Sequence, residues 1–410
     1  MANTINNIKD GPGLFAKGMA QTLKDNMKFC AFVDKADESD FDGKNGFKSG
    51  DTINTSIPAR YVPQQDDLDI TSTIQDTVEE KAPLVLDKTE TIGMKLNSLE
   101  LATDVDVANA LKRFGIPAAE SIAQNMEARC FQIATDATYN FTGTPGSGSF
   151  TVADILAAKT KLNKNLCPLK DRMLFMNSDS GAIAVNDRKG LFQSSEQIKK
   201  QYEDGYIGRS DGFDWVETEL ISNHTNGNQG GTPLTNGVGV EGASSIALDG
   251  VTSGNVWTKG TVFTIAGVYR VHPITKQVTP DLQEYVVTAD ATFTGGAATV
   301  AISPALYAGS NGLQNIDALP ADGAATVLKT GAASTAYAQN LALHKNAFKM
   351  VTAPLYAPSG VDLVATETVD GITVNLVRDF DVKTREVITR VDVLYGFDKV
   401  RPEWSTRLTA

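Results

Sequence analysis

Apolar residues are spread unevenly along this chain of 410 residues, and their spacing changes from one stretch to the next. Leu14, Phe15, Met19, Leu23 and Met27 recur at helical spacing after a Gly-Pro-Gly turn, which predicts a small amphipathic helix from Leu14 onward. A long polar stretch follows from Ala36 to Thr77, carrying GKNG, KSGD and QQDDLD. Between Thr52 and Leu96, runs such as TINTSI, LDITSTI and PLVLDKTETIGMKL alternate like strands, but Thr, Asn, Asp, Lys and Glu fill most of the alternate positions. A ribbon polar on both faces buries too little to stand alone. It must lie on a neighbour, whether a domain of its own chain or another subunit.

Helical spacing returns after Asp104, which is placed as an N-cap. Val105, Ala108 and Leu111 form one stripe; beyond Gly115-Ile116-Pro117, Ile122, Met126, Cys130, Ile133 and Ala137 form another. One long helix is expected, kinked or broken at Pro117 and ending near Tyr139. GTPGSGS, Gly143 to Ser149, is a flexible connector. Phe150 to Ser222 has an α/β pattern: a helix over Val152 to Leu162, a strand over Arg172 to Met176, a helix near Ser178 to Asn186 and another around Ser194 to Tyr202.

The composition shifts at Asn223. NHTNGNQGGTPLTN, Asn223 to Asn236, is a Gly/Asn/Thr loop, and from there to about Ser334 short strands follow one another: SSIAL, TVFTIAGVYRV, EYVVTA, ATFT and ATVAI. The block has the size of a small domain and the turn density of an all-β barrel or sandwich, and α/β pattern flanks it on both sides. It therefore reads as an insertion into a host domain. NLALHKNAFKMVTAPL, Asn340 to Leu355, reads as a short helix. Strand candidates close the chain at Gly371 to Phe380, at Val387 to Tyr395 and, more weakly, through Val400. In the second, Val387, Val391, Val393 and Tyr395 share one face and Arg390 and Asp392 the other, the pattern of a half-buried antiparallel strand. Pro402 cannot donate to a ladder, so pairing is expected to stop there.

A hydrophobic content of 41% supports a sizeable core, and the length implies roughly two or three domains. With 37 Lys+Arg against 49 Asp+Glu the net charge is -12, so the average field repels nucleic acid and anionic membrane, and sequence-specific DNA reading is not expected. Cys30, Cys130 and Cys167 lie far apart without a CxxC pair, which fits free thiols in a reducing cytosol better than a disulfide framework or a thiolate metal site. The start, MANTINNIKDGPG, has no basic segment followed by an apolar one, and no stretch approaches ~18 uninterrupted apolar residues. The chain reads as soluble and made in the cytoplasm.

Motifs with chemical potential are few. GVGVEG, Gly237 to Gly242, has the letters of a dinucleotide fingerprint but not the flanking strand and helix that would bring a pyrophosphate to helix N-terminal amides. ESDFDG, Glu38 to Gly43, imitates the opening of a calcium loop, with Glu38, Asp40 and Asp42 at alternating positions. The closing bidentate carboxylate falls due where Ser49 stands, so a solvated acidic loop is expected. His224, His272 and His344 have no partner at metal or triad spacing, and His344 beside Lys345 reads as a surface or packed imidazole. Asp66-Asp67, Glu79-Glu80 and Asp379 with Asp381 read as solvated charge. No catalytic, cofactor-binding or metal-binding residue is assigned, no cofactor is expected, and the chain is not read as an enzyme.

The order of parts is then the informative feature: a short arm, an extended polar ribbon, one long helix, an α/β region, an inserted β block and a strand-rich finish. It resembles the major capsid proteins of tailed bacteriophages, of the Hong Kong 97 type, most like the short-tailed-phage coat proteins that carry an inserted β-barrel, the I-domain. NLALHKNAFKMVTAPL is similar to the helix that follows the insertion in many such proteins, where the Asn, the His-basic pair and the Ala-Phe recur. RDFDVKTREVITRVDVLYGFDKVRPEW is similar to their closing strands, with Leu-Tyr-Gly and Arg-Pro-Glu before the terminus.

The resemblance implies an α+β fold with an N-terminal arm over residues 1–29, an extended loop over 30–100 and a peripheral domain with the long spine helix over 101–189. It places the axial domain in 190–221 and 336–358, an I-domain-like β domain in 222–335, and axial and peripheral strands in 359–410. The implied function is a major capsid protein that self-assembles into the icosahedral head enclosing double-stranded phage DNA. The implied partners are its own copies in hexamers and pentamers, a portal protein, decoration proteins and packaged double-stranded DNA without sequence specificity, with no membrane. Assembly takes place in the bacterial host cytoplasm and the product is the virion. Because the ribbon begins soon after Met1, leaving no room for a fused scaffolding segment, a separate scaffolding protein is expected. The competing reading is a secreted or surface β-rich adhesion protein, prompted by the acidic, Gly/Thr-rich block; the missing export signal and the long helix weigh against it.

Overall fold

The computed structural model describes residues 11–35, 52–57, 61, 80–97, 111–187, 208–309, 312–356, 360–361, 363–383 and 386–409. The helices are α1 (Gly11–Asn26), α2 (Phe29–Phe32), α3 (Ile116–Ala137), α4 (Val152–Lys164) and α5 (Ser178–Asp187). The strands before the insertion are β1 (Asp34–Lys35), β2 (Thr52–Ile57), β3 (Glu80–Val85), β4 (Lys88–Asn97), β5 (Phe141–Gly143), β6 (Arg172–Met176), β7 (Arg209–Ser210) and β8 (Phe213–Glu217). The insertion and its stem contribute β9 (Asn223–Thr225), β10 (Gly231–Thr235), β11 (Ser245–Val251), β12 (Val256–Trp257), β13 (Val262–Val271), β14 (Val278–Val287), β15 (Ala291–Thr292), β16 (Ala298–Ser303), β17 (Thr326–Leu328) and β18 (Ala336–Ala338). The chain closes with β19 (Asn340–His344), β20 (Phe348–Ala353), β21 (Leu363–Val369), β22 (Ile372–Asp381), β23 (Glu386–Lys399) and β24 (Ser405–Thr409). It divides into two compact units, with the division falling in α3 after Cys130.

α3 forms where its apolar stripe requires, burying Ile122, Met126 and Cys130. The break expected at Pro117 does not occur. A π-helical turn over Leu111–Gly115 runs directly into α3, and Pro117 falls in the first turn of the α-helix, where a missing N–H costs little and the wider turn before it makes room for the ring. Asp104 and the helix expected around Ser194 to Tyr202 lie outside the described residues.

The first unit holds residues 1–55, 82–130 and 348–398. Its sheet runs β1-β20-β23-β22-β21, and β4 pairs with β23 along its whole length, from Lys88↔Tyr395 to Asn97↔Glu386. The last strand of the polar ribbon thus finds its neighbour in its own chain. β23 is half-buried only at its start: from Val391 to Phe397 both faces are covered. Leu394 packs with Leu84, Leu86, Val351 and Ala353, while Tyr395 reaches towards α3. Phe397 lies between Phe29 and a stacked Phe348. Ala16, Met19, Ala20 and Leu23 form the buried stripe of α1, which packs on β21 and β22.

The second unit holds residues 56–81, 131–347 and 399–410. Its host sheet runs β5-β24-β19-β6-β8-β7, with β24–β5 and β6–β8 parallel and the remaining pairs antiparallel. α4 and α5 bury Ile155, Ala158, Leu162 and Ala184 with Leu174, Met176 and Leu408 of this sheet. Asn340 to Leu355 is not a helix. It is β19, a 3-10 turn over Lys345–Ala347, and β20. Asn340 to His344 is buried throughout, and a strand covered on both faces shows no alternation from which strand could be told from helix. Pairing likewise does not end at Pro402: after a 3-10 turn over Pro402–Trp404 the chain enters β24, all five of whose residues are buried between β5 and β19.

The inserted block is all-β. Its six-stranded sheet runs β10-β11-β16-β14-β13-β17, and a bridge between Leu234 and Ala325 joins the two ends of that order, so the sheet curls into a barrel. Trp257, Phe263, Tyr285 and Phe293 fill it with Ile265, Val300 and Ile302. β9 and β18 pair as the stem where the chain enters and leaves. No described helix is long and apolar enough to cross a membrane.

Candidate assembly surfaces

In the first unit the ribbon is anchored through one buried acid. Glu90 of β4 accepts from Asn125 Nδ2 at 2.7 Å, Arg129 Nη1 at 3.2 Å and Tyr395 Oη at 3.1 Å. Asn125 and Arg129 stand four residues apart on α3 and so present one face. Thr91 Oγ1 donates to Asp392 at 2.6 Å, Arg390 Nε holds the same carboxylate at 2.9 Å, and Lys95 pairs with Glu386 at 2.7 Å at the exposed end. β2 and β3, by contrast, form a sheet of two strands.

The N-terminal segment is clamped at two points in the same unit. Glu127 Oε1 accepts the backbone N–H of Lys28 at 2.8 Å and that of Phe29, closing the start of α2, and burial raises its carboxyl above the usual range despite those bonds. Asp370, in the turn between β21 and β22, takes Lys24 at 3.3 Å and Lys35 at 3.5 Å, and the Lys35 charge leads in holding its carboxyl below the usual range.

In the second unit the inserted barrel is seated on the host by charge pairs. α4 starts with a capping box between Thr151 and Asp154, and its last turns carry the partners of the barrel. Lys161 Nζ donates to Glu284 at 2.6 Å and to the Phe141 carbonyl, Lys164 pairs with Asp281, and Asn165 Oδ1 accepts from Arg270 Nη2 at 2.5 Å. Tyr139, Phe141, Val262 and Val286 pack beside these pairs.

A second, deeper junction forms around Gly260. Arg407 of β24 is fully buried; its Nη2 donates to the Gly260 carbonyl at 2.7 Å, while Nε and Nη1 have no partner among the described residues. Burial pushes its guanidinium down to about 10. Asp136, near the end of α3, lies 3.7 Å from Lys259, and its carboxyl is raised by burial against the pull of Lys259 and Arg407. His224 of the stem is pushed down to about 4, by burial first and by Arg407 second. A Cβ on Gly260, whose φ is +89°, would sit 2.8 Å from Asp136 Oδ1 and 3.0 Å from His224 Nδ1, so helix end, stem and barrel turn meet at a point only glycine fits.

Most of the motifs weighed in the sequence fall elsewhere. GVGVEG is a loop between β10 and β11, with Gly237 and Gly242 at positive φ and no helix after it. ESDFDG, Asp66-Asp67 and Glu79 lie outside the described residues, and Glu80 opens β3. His272 Nδ1 accepts from the backbone of Ile274 and Thr275, closing a turn. His344 ends β19 rather than lying in a helix, with its ring edge-on to Trp404 at 5.2 Å. Asp379 and Asp381 cap backbone N–H groups of Phe380 and Lys383. Cys30, Cys130 and Cys167 are free and buried. Glu90, Asp136 and Arg407 were not singled out; Glu90 alone had a signal, since it shares its strand face with Ile92 and Met94.

The family model described as "P22 coat protein - gene protein 5" matches residues 17–408. No curated protein matches the chain by sequence. Solved structures that align with it include that of Mycobacterium phage Che8, at 10% identity over 93% of this chain and 90% of that one with a TM-score of 0.45. The capsid of cyanophage P-SCSP1u aligns at 11% identity over 89% and 85%, with a TM-score of 0.46. The CUS-3 coat protein I-domain aligns at 25% identity over 24% of this chain and 96% of its own, with a TM-score of 0.19. The expectation of a Hong Kong 97-type α+β capsid fold stands with the family match, and the adhesion reading is left without support. The match runs through both units and the inserted barrel, and on that extent the chain belongs to the P22 coat protein family and is a bacteriophage major capsid protein, a self-assembling component of the virion.

Proposed function

We propose that copies of this chain join into hexamers and pentamers that close an icosahedral head around double-stranded DNA, in a structural rather than catalytic role. A separate scaffolding protein directs assembly in the host cytoplasm, a portal protein occupies one vertex, and decoration proteins bind the finished shell. The observation that carries the reading is the ribbon: β4 is fastened to β23 by a full ladder and a buried acid, while β2 and β3 pair with each other in a sheet of two described strands, tied to the core where Leu84 near the end of β3 packs on Leu394. A pair of strands buries too little to hold by itself, whereas docking onto an identical molecule supplies the missing surface. Repeated head to tail, such a contact closes into rings, and several modest contacts per copy give a durable shell. In these terms residues 30–100 are the extended loop, 101–189 carry the spine helix, 190–221 and 336–358 build the axial domain, and 222–335 are the inserted domain. The -12 charge suits a wall that DNA must slide past.

Limited proteolysis of the full-length chain tests this. The strands β2 and β3, residues 52–57 and 80–85, are expected to be cut more readily in dilute subunits than in particles isolated by sedimentation. A single subunit that resists cutting there, and stays single with its assembly partners supplied, refutes the proposal.

A further inference from the structure

We propose that Cys30 and Cys130 are a latent intrachain disulfide: two thiols while the chain stands in reducing surroundings, and a covalent staple between α2 and α3 once it meets an oxidant. The pair belongs to a single subunit, so the inference goes beyond the shell reading and does not depend on how copies join.

The two cysteines are distant in sequence, and the fold brings them to one place. Glu127 of α3 accepts the backbone N–H groups of Lys28 and Phe29 at the start of α2. Cys30 follows Phe29 directly, and Cys130 stands three residues beyond Glu127 on the same face of α3. The clamp that closes the start of α2 therefore sets one thiol beside the other. Both side chains are fully buried, and a hydrogen bond joins them. Cys167, by contrast, is buried in the core of the second unit with Leu162 and Leu174.

The bond to Cys130 first and burial second keep Cys30 in its thiol form, and only a thiolate attacks a disulfide. The closed fold is thus inert, and oxidation runs through an opening in which α2 lifts from Glu127. The staple then forms in two exchanges. The thiolate of one cysteine attacks a low-molecular-weight disulfide and releases one small thiol; the second thiolate attacks the mixed disulfide and releases the other. Two protein thiols become one disulfide, their protons pass to the two released small thiols, and the small disulfide is the species reduced. A virion component moves from the reducing interior of its host to oxidising surroundings, where such a bond persists.

Position sets what the staple holds. The ring it closes runs from residue 30 to residue 130 and takes in β2, β3 and β4, so the ribbon is tied at both roots. A closed loop of that length restricts the unfolded chain strongly, and the N-terminal segment gains a covalent tie where Glu127 holds it by hydrogen bonds.

The test incubates purified, reduced full-length subunits for days in a buffer of oxidised and reduced glutathione, alkylates them in denaturant, digests without reduction and maps the peptides by mass. The expected product is a peptide pair joined through Cys30 and Cys130, with Cys167 alkylated. Oxidised and reduced wild-type chains then give the second readout, for which no variant has to fold. The oxidised form should unfold at higher urea, and amide exchange over residues 28–33 should slow about tenfold or more. Free thiols at both positions after the incubation, glutathione left on either cysteine without the joined pair, or a joined pair that lowers the urea midpoint overturns the inference. None of these results touches the shell reading, which particle formation decides.

Discussion

Acid should loosen the seat of the inserted barrel through His224. The imidazole is held near 4 against an ordinary 6.5, because burial disfavours its charged form and Arg407 adds to the penalty. The depressed value means that the unfolded chain binds the proton first. The neutral histidine therefore contributes stability that is complete above about pH 6.5 and is lost as pH falls towards 4. At about 1.4 kcal/mol per pH unit the full swing is about 3 kcal/mol, of which roughly 2–3 is spent between pH 6.5 and 4.5. Asp136, raised by burial, acts in the opposite sense over the acid end of this range, so wild type alone does not isolate the effect. Comparison with His224→Gln does, since Asp136, Lys259, Asp290 and Arg407 remain in both chains. Urea unfolding of dissociated subunits from pH 7.5 to 4.5 should show the wild-type advantage shrinking by that amount. An advantage constant across the range refutes the assignment.

Other perturbations follow from the same geometry. Gly143→Ala would place a Cβ 2.1 Å from the Thr409 carbonyl at φ +92°, so β5 must part from β24; a loss above ~3 kcal/mol is expected in thermal melts. Glu90→Ala leaves the Tyr395 hydroxyl and Asn125 amide unpaired, and about 2–3 kcal/mol should be lost, seen as faster hydrogen exchange over residues 88–97 than elsewhere. Burial pushes the Cys167 thiol up to about 11, and a hydrogen bond with Cys130 first and burial second raise that of Cys30, so a disulfide reagent should label no thiol in the native subunit and all in denaturant.

What was legible in the sequence was what local periodicity controls. The stripe through Ile122, Met126 and Cys130 gave α3, and the dense turns after Asn223 gave the barrel, because helical spacing and turn residues act over a few positions. The misreadings share a physical cause. Asn340 to His344 and Ser405 to Thr409 are central strands buried on both faces, so neither alternates, and STRLT looked like a polar tail. Arg407 could not be recognised as interior, since charged side chains are almost never fully buried unless paired, and the Gly260 carbonyl that accepts from it comes from a distant part of the chain.

The position of β24 sets a rule for synthesis. Among the described residues, 405–409 form the only strand link between β5 and the rest of the host sheet, joining Phe141–Gly143 to Asn340–Leu343. On the ribosome, that sheet stays open until those last strand residues emerge, and closing a contact of such long range is slow. A nascent chain with its β24 still in the exit tunnel therefore cannot present a finished subunit, which delays polymerisation until translation has passed that point.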